Sequence, residues 1–131
     1  MNASGTLTLQ LLPGPLAVCR LGPDAPLPAW AVGTVTSVTR TPDELSVVCA
    51  EEAVPTDVRA ERGFRCLTVV GQLDFSLFGV VASLAAPLAE AQVSIFVLST
   101  FDTDLLLLRE SHLTQSAAVL RRAGHRILGI P

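Results

Sequence analysis

The sequence predicts an α+β protein made of two ferredoxin-like units, the first shortened, with antiparallel sheets packed by helices on one face. Three observations carry that prediction. Strand and helix periodicities follow one another as β-α-β-β-α-β through the second half, the order of the ferredoxin-like unit. A hairpin pattern around residue 40 returns 60 residues later. The chain has 131 residues, 50% of them hydrophobic and 16% charged, a composition that suits a packed core and excludes intrinsic disorder. That length allows one ordinary domain or two half-size ones.

Period-two alternation opens the chain, with Thr6, Thr8 and Gln10 between Leu7, Leu9 and Leu11, as in a strand with one buried face. Pro13-Gly14-Pro15 forces a turn, and Leu16 to Arg20 reads as a second strand. A Pro-rich passage from Gly22 to Pro28 leads into Ala29–Val32, short enough for a single helical turn. Thr34 to Arg40 and Leu45 to Cys49 are β-branched runs around Thr41-Pro42-Asp43-Glu44, whose proline and aspartate suit a type I turn, so this is a hairpin. The polar segment Glu51 to Arg65, interrupted by Pro55, reads as a connector.

Cys66 to Gly71 reads as a buried strand. From there Leu77, Val80, Val81, Leu84 and Leu88 recur at helical spacing, with Pro87 in the last turn. Val93 to Leu98 and Leu105 to Leu108 are apolar strands joined by Ser99-Thr100-Phe101-Asp102-Thr103-Asp104. Ser111 is placed to cap a second helix carrying Leu113, Ala117 and Leu120; Arg121 and Arg122 favour its negative end, Gly124 ends it, and His125 to Leu128 forms a last edge strand.

Shifting the chain by 60 places Val38-Thr39 on Leu98-Ser99, Glu44-Leu45 on Asp104-Leu105 and Val47-Val48 on Leu107-Leu108. Two related units follow, residues 1–62 and residues 63–131, with an early duplication as their origin. Leu105 to Leu108 is apolar on both faces, whereas helices cover one face only, so the other face calls for a homodimer or tight packing within the chain.

Composition removes several functions. A formal charge of −3 with nine basic residues argues against nucleic acid. All nine are arginine, and a chain without lysine has neither a Schiff-base nor a P-loop lysine. The apolar stretch Leu77 to Ala89 is too short to span a bilayer, and the uncharged first nineteen residues lack the basic start of a secretory signal, so a soluble cytoplasmic protein is expected. Cys19, Cys49 and Cys66, odd in number and widely spaced, read as buried thiols without disulfide or zinc; Cys19, beside Arg20, is expected to react first. No cofactor is implied.

In a β-α-β-β unit the first two strands end at the same rim, which brings Asp74-Phe75-Ser76 beside Ser99–Asp104. The first offers backbone N–H groups at a helix start, suited to a carboxylate. The second offers Asp102 and Asp104, suited to an ammonium group. Together they describe a site for an α-amino acid, while helix capping and turn formation explain the same residues without any ligand. Ser99, Asp102 and His112 supply the residue types of a catalytic triad, but no nucleophile-elbow sequence surrounds the serine. His112 and His125 lack ligand-spaced partners for a metal. Trp30 reads as an anchor of the first core.

Two segments resemble small tandem ACT-domain proteins of bacteria, a group also similar to the arginine-sensing ACT proteins of animals. One runs through Gly71-Gln72-Leu73-Asp74-Phe75-Ser76-Leu77-Phe78-Gly79-Val80 and Ala85–Ala89 to Val93-Ser94-Ile95-Phe96-Val97-Leu98 and the S-T-F-D-T-D run at Ser99–Asp104. The other joins Pro23–Trp30 to Ser37–Cys49. The resemblance implies paired units, a dimer, and a small effector between units, held without catalysis. Carried over by position, it implies that Asp74, Phe75, Ser76, Leu77 and Phe78 hold the effector's backbone, that Ser94 and Ile95 line the neighbouring side, and that Asp104 anchors it. The sequence thus reads as an amino-acid-binding regulatory protein, with a protein–protein interaction module lacking a metabolite as the alternative.

Overall fold

A computed structural model of the chain describes residues 6–71 and 79–131. Its elements are β1 (Thr8–Leu11), β2 (Leu16–Leu21), β3 (Ser37–Arg40), β4 (Leu45–Ala50), β5 (Ala60–Val69), α1 (Val80–Glu90), β6 (Phe96–Ser99), β7 (Asp104–Arg109), α2 (Leu113–Arg122) and β8 (Arg126–Leu128). Helices are few and strand pairing is mostly antiparallel, as expected of a ferredoxin-like α+β fold. The chain divides into two compact units: residues 13–64 form one, and residues 65–131 together with residues 1–12 form the other. The division read from the sequence, residues 1–62 and 63–131, keeps β1 with the first half, whereas here β1 lies with residues 65–131.

In the middle unit β3, β4 and β2 pair in order, and β2 continues onto the first half of β5. The expected hairpin forms, with Arg40 opposite Leu45. Ala29–Val32 is a turn, not a helix. Val32 N–H donates to Trp30 O at 2.8 Å, too short a span for an α-helical bond. The polar stretch after Glu51 is a connector only as far as Arg59, because β5 begins at Ala60. Its entry is shaped by Glu51, whose carboxylate accepts from Gly63 N–H at 2.6 Å. The core of this unit is Ala17, Cys19, Leu45, Val47, Cys49 and Val54, with Trp30 packed against it as expected. The shortening of its helices is complete: a single 3-10 turn at Glu51–Ala53 is its only helical segment.

The other unit carries β5-α1-β6-β7-α2-β8 with one addition. β1 pairs antiparallel with the second half of β5, Leu9 opposite Val69, and parallel with β8, Leu9 opposite Ile127. The sheet order is therefore β8-β1-β5-β7-β6. Both helices pack on one face, where Leu9, Leu67, Val69, Leu106, Leu108 and Ile127 meet Leu84, Leu88, Ala117 and Leu120. Leu107 points the other way and is fully buried within the single chain, so a second copy is not needed to cover it.

Both helices stop in the same motif. At α2, Gly124 N–H donates to Arg121 O and His125 N–H to Leu120 O, with Gly124 at φ 100°, a Schellman end. At α1 the equivalent bonds are Gln92 N–H to Ala89 O and Val93 N–H to Leu88 O, and there a glutamine holds the left-handed position at φ 60°. Ser111 does not cap α2. It lies in a 3-10 turn, Glu110–His112, that leads the chain into the helix. Arg121 reaches beyond the helix end to the backbone carbonyls of Ile127, Ile130 and Pro131.

Candidate functional site

The rim predicted from topology is organised around the loop between β6 and β7. Ser99 pairs with Asp104, and Thr100 N–H donates to Thr103 O at 2.8 Å to close the turn. Thr103 N–H in turn donates to Thr100 Oγ1 at 3.2 Å. Thr103 Oγ1 donates to Val69 O at 2.8 Å, which ties the loop to the C-terminal end of β5. The loop therefore sits at the end of β5 where that strand finishes, at Val69.

Asp104 is half-buried, and its Oδ1 accepts from Ser99 Oγ at 2.6 Å. That bond orients the carboxylate and leaves Oδ2 as a further acceptor for a cationic group. Phe101, at the tip, is 79% exposed. Asp74, Phe75, Ser76, Leu77 and Phe78 lie outside the described residues. The described part of α1 starts behind Gly79, whose φ of 81° directs the chain into the helix.

Ser94 and Ile95 lie elsewhere. Ser94 is exposed, and Ile95 packs partly against the apolar core. Both precede β6, whereas Asp104 pairs with the strand's last residue, Ser99. Five residue steps along the chain separate Ser94 from Ser99, roughly 16 Å if extended. Within one unit, a ligand the size of an amino acid cannot touch both Ser94 and Asp104.

The residue types of a triad are not assembled. Ser99 engages Asp104 at one end of β7, and His112 follows the other end, roughly 20 Å along the strand. Among the described residues no group of three or more His, Cys, Asp or Glu is placed to hold a metal. No helix among them is long and apolar enough to cross a membrane.

The three cysteines are free and buried. Burial pushes the Cys19 thiol up to about 11, with the neighbouring Cys49 adding to the rise. Burial likewise lifts Cys66 to about 11 and raises Cys49. Cys19 is therefore not the reactive thiol its position beside Arg20 implied, since its side chain faces inward at 1% exposure. A groove of about 340 Å³ runs along α1 and α2, lined by Pro87, Glu90, Ala91, Val119, Arg122 and Ala123. Sequence reading missed it because no motif marks it.

With this geometry in place, the relatives become informative. The ACT domain family model matches residues 59–122, and a second model, described as an N-terminal domain, matches residues 14–57. Protein Atu0741 of Agrobacterium tumefaciens is 41% identical, with 94% of this chain and 92% of that one aligned at a TM-score of 0.90. VC0802 of Vibrio cholerae, described as a protein of unknown function and possible transport protein, is 19% identical over 93% and 92% of the two chains, at a TM-score of 0.74. The regulatory subunit of aspartate kinase from Thermus thermophilus shares the fold at 12% identity and a TM-score of 0.62, over 88% of this chain and 96% of that one. No curated protein matches the chain. The fold and the family model mark residues 59–122 as an ACT domain. The chain belongs to the same family as Atu0741 of Agrobacterium.

Proposed function

We propose that this chain is a sensor or regulatory protein that binds a small molecule, an amino acid, and carries out no chemistry of its own. The observation behind the reading is the Thr103–Val69 bond, which holds Asp104 and its Ser99 partner at the end of β5, from which the segment containing Asp74–Phe78 departs. In this reading Asp104 receives the effector's ammonium group, and the backbone of residues 74–78 receives its carboxylate. Since Ser94 and Ile95 are too far from Asp104 to share a ligand within one unit, they come from a second copy, and the working form is a homodimer. The aspartate kinase regulatory subunit with this fold supports a regulatory role.

A thermal-shift screen of the twenty amino acids tests the reading. A ligand present at 100 times its dissociation constant adds about 2.7 kcal/mol of stability. For a ligand so found, Asp104→Asn is expected to weaken binding by roughly 1.5–3 kcal/mol in calorimetric titration, the range for charge-assisted hydrogen bonds, with little change in the melting curve. Unchanged affinity removes Asp104 from the site. A screen without any shift turns the reading toward the alternative, an interaction module, for which the exposed Phe101 at the loop tip is the natural first contact.

A further inference from the structure

Pro87 lies inside α1, and proline has no backbone N–H. In an α-helix that N–H would have served the carbonyl four residues back, Ser83 O. The vacancy is filled from outside the helix: the His125 ring lies with Nε2 3.1 Å from Ser83 O. The other ring nitrogen, Nδ1, is 3.2 Å from the backbone N–H of Leu7, at the head of β1. An amide can only donate and a carbonyl can only accept, so the ring is fixed as the neutral tautomer with its hydrogen on Nε2. His125 is 5% exposed, and its own backbone N–H closes the end of α2 on Leu120 O. One side chain therefore joins the first half of α1 to β1 at the point where the chain enters β8.

We propose that His125 is a proton-operated clasp. The neutral ring holds α1 and the head of β1 together. A second proton, on Nδ1, sets N–H against the Leu7 N–H and releases the head of β1. Both ring nitrogens are engaged by backbone groups, so no carboxylate holds the ring. Charged groups on the elements around it are Glu90, about 10 Å along α1 from Ser83, and Arg121, Arg122 and Arg126 at the α2–β8 connection; β1 carries none. Adding that proton takes acid, so acidification is the signal that opens the clasp.

Two measurements on the full chain test this. His125→Asn keeps an acceptor near the Nδ1 position and loses the donor to Ser83. It is expected to lower the folding equilibrium constant about tenfold when residue 87 is proline, because it strands a part-buried carbonyl. In the Pro87→Ala background the helix supplies its own N–H to Ser83, and the same substitution is expected to cost less than about threefold. Equal costs in the two backgrounds overturn the link between His125 and the proline vacancy. Nitrogen-edited NMR of the ring, followed with the protection factor of the Leu7 amide from pH 7.5 to 5, reads the clasp directly. An Nε2–H tautomer at pH 7.5 and a loss of Leu7 protection that tracks the ring's titration, absent in His125→Asn, are expected. An Nδ1–H tautomer, or Leu7 protection unchanged through the ring's titration, overturns the proposal.

Discussion

In the hairpin of β3 and β4, the pair Arg40–Leu45 closes a loop in which Thr41 N–H donates to Glu44 O at 2.9 Å. In the hairpin of β6 and β7, the pair Ser99–Asp104 closes a loop of the same length in which Thr100 N–H donates to Thr103 O at 2.8 Å. The side chain of the leading threonine works alike in both. Thr41 Oγ1 accepts from Glu44 N–H and Thr100 Oγ1 from Thr103 N–H, each at 3.2 Å. What differs sits beside this shared frame. Leu45 is fully buried where Asp104 presents a carboxylate, and Glu44 stands where Thr103 reaches Val69 O. One turn design thus serves the core in the first hairpin and a polar rim in the second, with Asp104 and Thr103 in the places of Leu45 and Glu44.

Exchanging the contrasting residues gives the largest expected effect. Leu45→Asp places a carboxylate in an apolar core, and urea denaturation should show a loss of about 3–5 kcal/mol. Asp104→Leu should stay within about 1 kcal/mol of the parent, since a half-exposed loop carboxylate contributes little to folding. Similar losses in the two variants would break the contrast between core and rim.

The thiols sharpen the comparison next. The chain has neither lysine nor tyrosine, so its cysteines are the side chains that titrate between pH 8.5 and 11. Cys19 in the middle unit and Cys66 in the other are each raised from 9.0 to about 11 by burial. A raised folded value means that the stabilisation is complete below pH 9 and is lost as pH climbs through 11. Together the two thiols should account for on the order of 2–3 kcal/mol of alkaline destabilisation. Unfolding free energies measured from pH 8.5 to 11 should fall, and Cys66→Val should flatten its share of the fall. A flat parental profile would mean that these thiols ionise freely.

A smaller effect separates the fourth loop residues. Thr103→Val removes the bond to Val69 O and should cost about 1 kcal/mol while weakening effector binding. Glu44→Ala, at the equivalent place, should cost under about 0.5 kcal/mol and leave binding unchanged. Equal binding by the two variants would detach the loop anchor from the site.

The sequence showed the turn frame but not its alignment. Matching bonds place Thr41 on Thr100, an offset of 59, whereas the residue-type match suggested 60; similar apolar runs tolerate a slip that hydrogen bonds do not. Leu7, Leu9 and Leu11 alternate clearly enough to make a strand, but alternation says nothing about partners, so β1 was assigned to the wrong half. The run after Glu51 looked like a connector because charged residues alternate in a half-buried strand as well as in a loop, and β5 starts there at Ala60. Cys19 looked reactive from its neighbour Arg20, yet adjacent residues of a strand face opposite sides. His125 looked idle in sequence because its two partners are backbone groups, at Leu7 and Ser83.

The insertion of β1 between β5 and β8 has a kinetic consequence. Thr8 is made well before its partner Arg126, so this pairing waits for all of the chain between them. By loop-closure scaling, joining segments about 118 residues apart costs roughly 4 kcal/mol of chain entropy before any contact offsets it. The middle unit, residues 13–64, is contiguous and its pairings are more local, so it is the part that assembles early, both during synthesis and on refolding. Pulse-labelling hydrogen exchange should protect the amides of β2, β3 and β4 first, and those of Leu9 and Ile127 last. The reverse order would mean that β1 and β8 find each other before the segment between them folds.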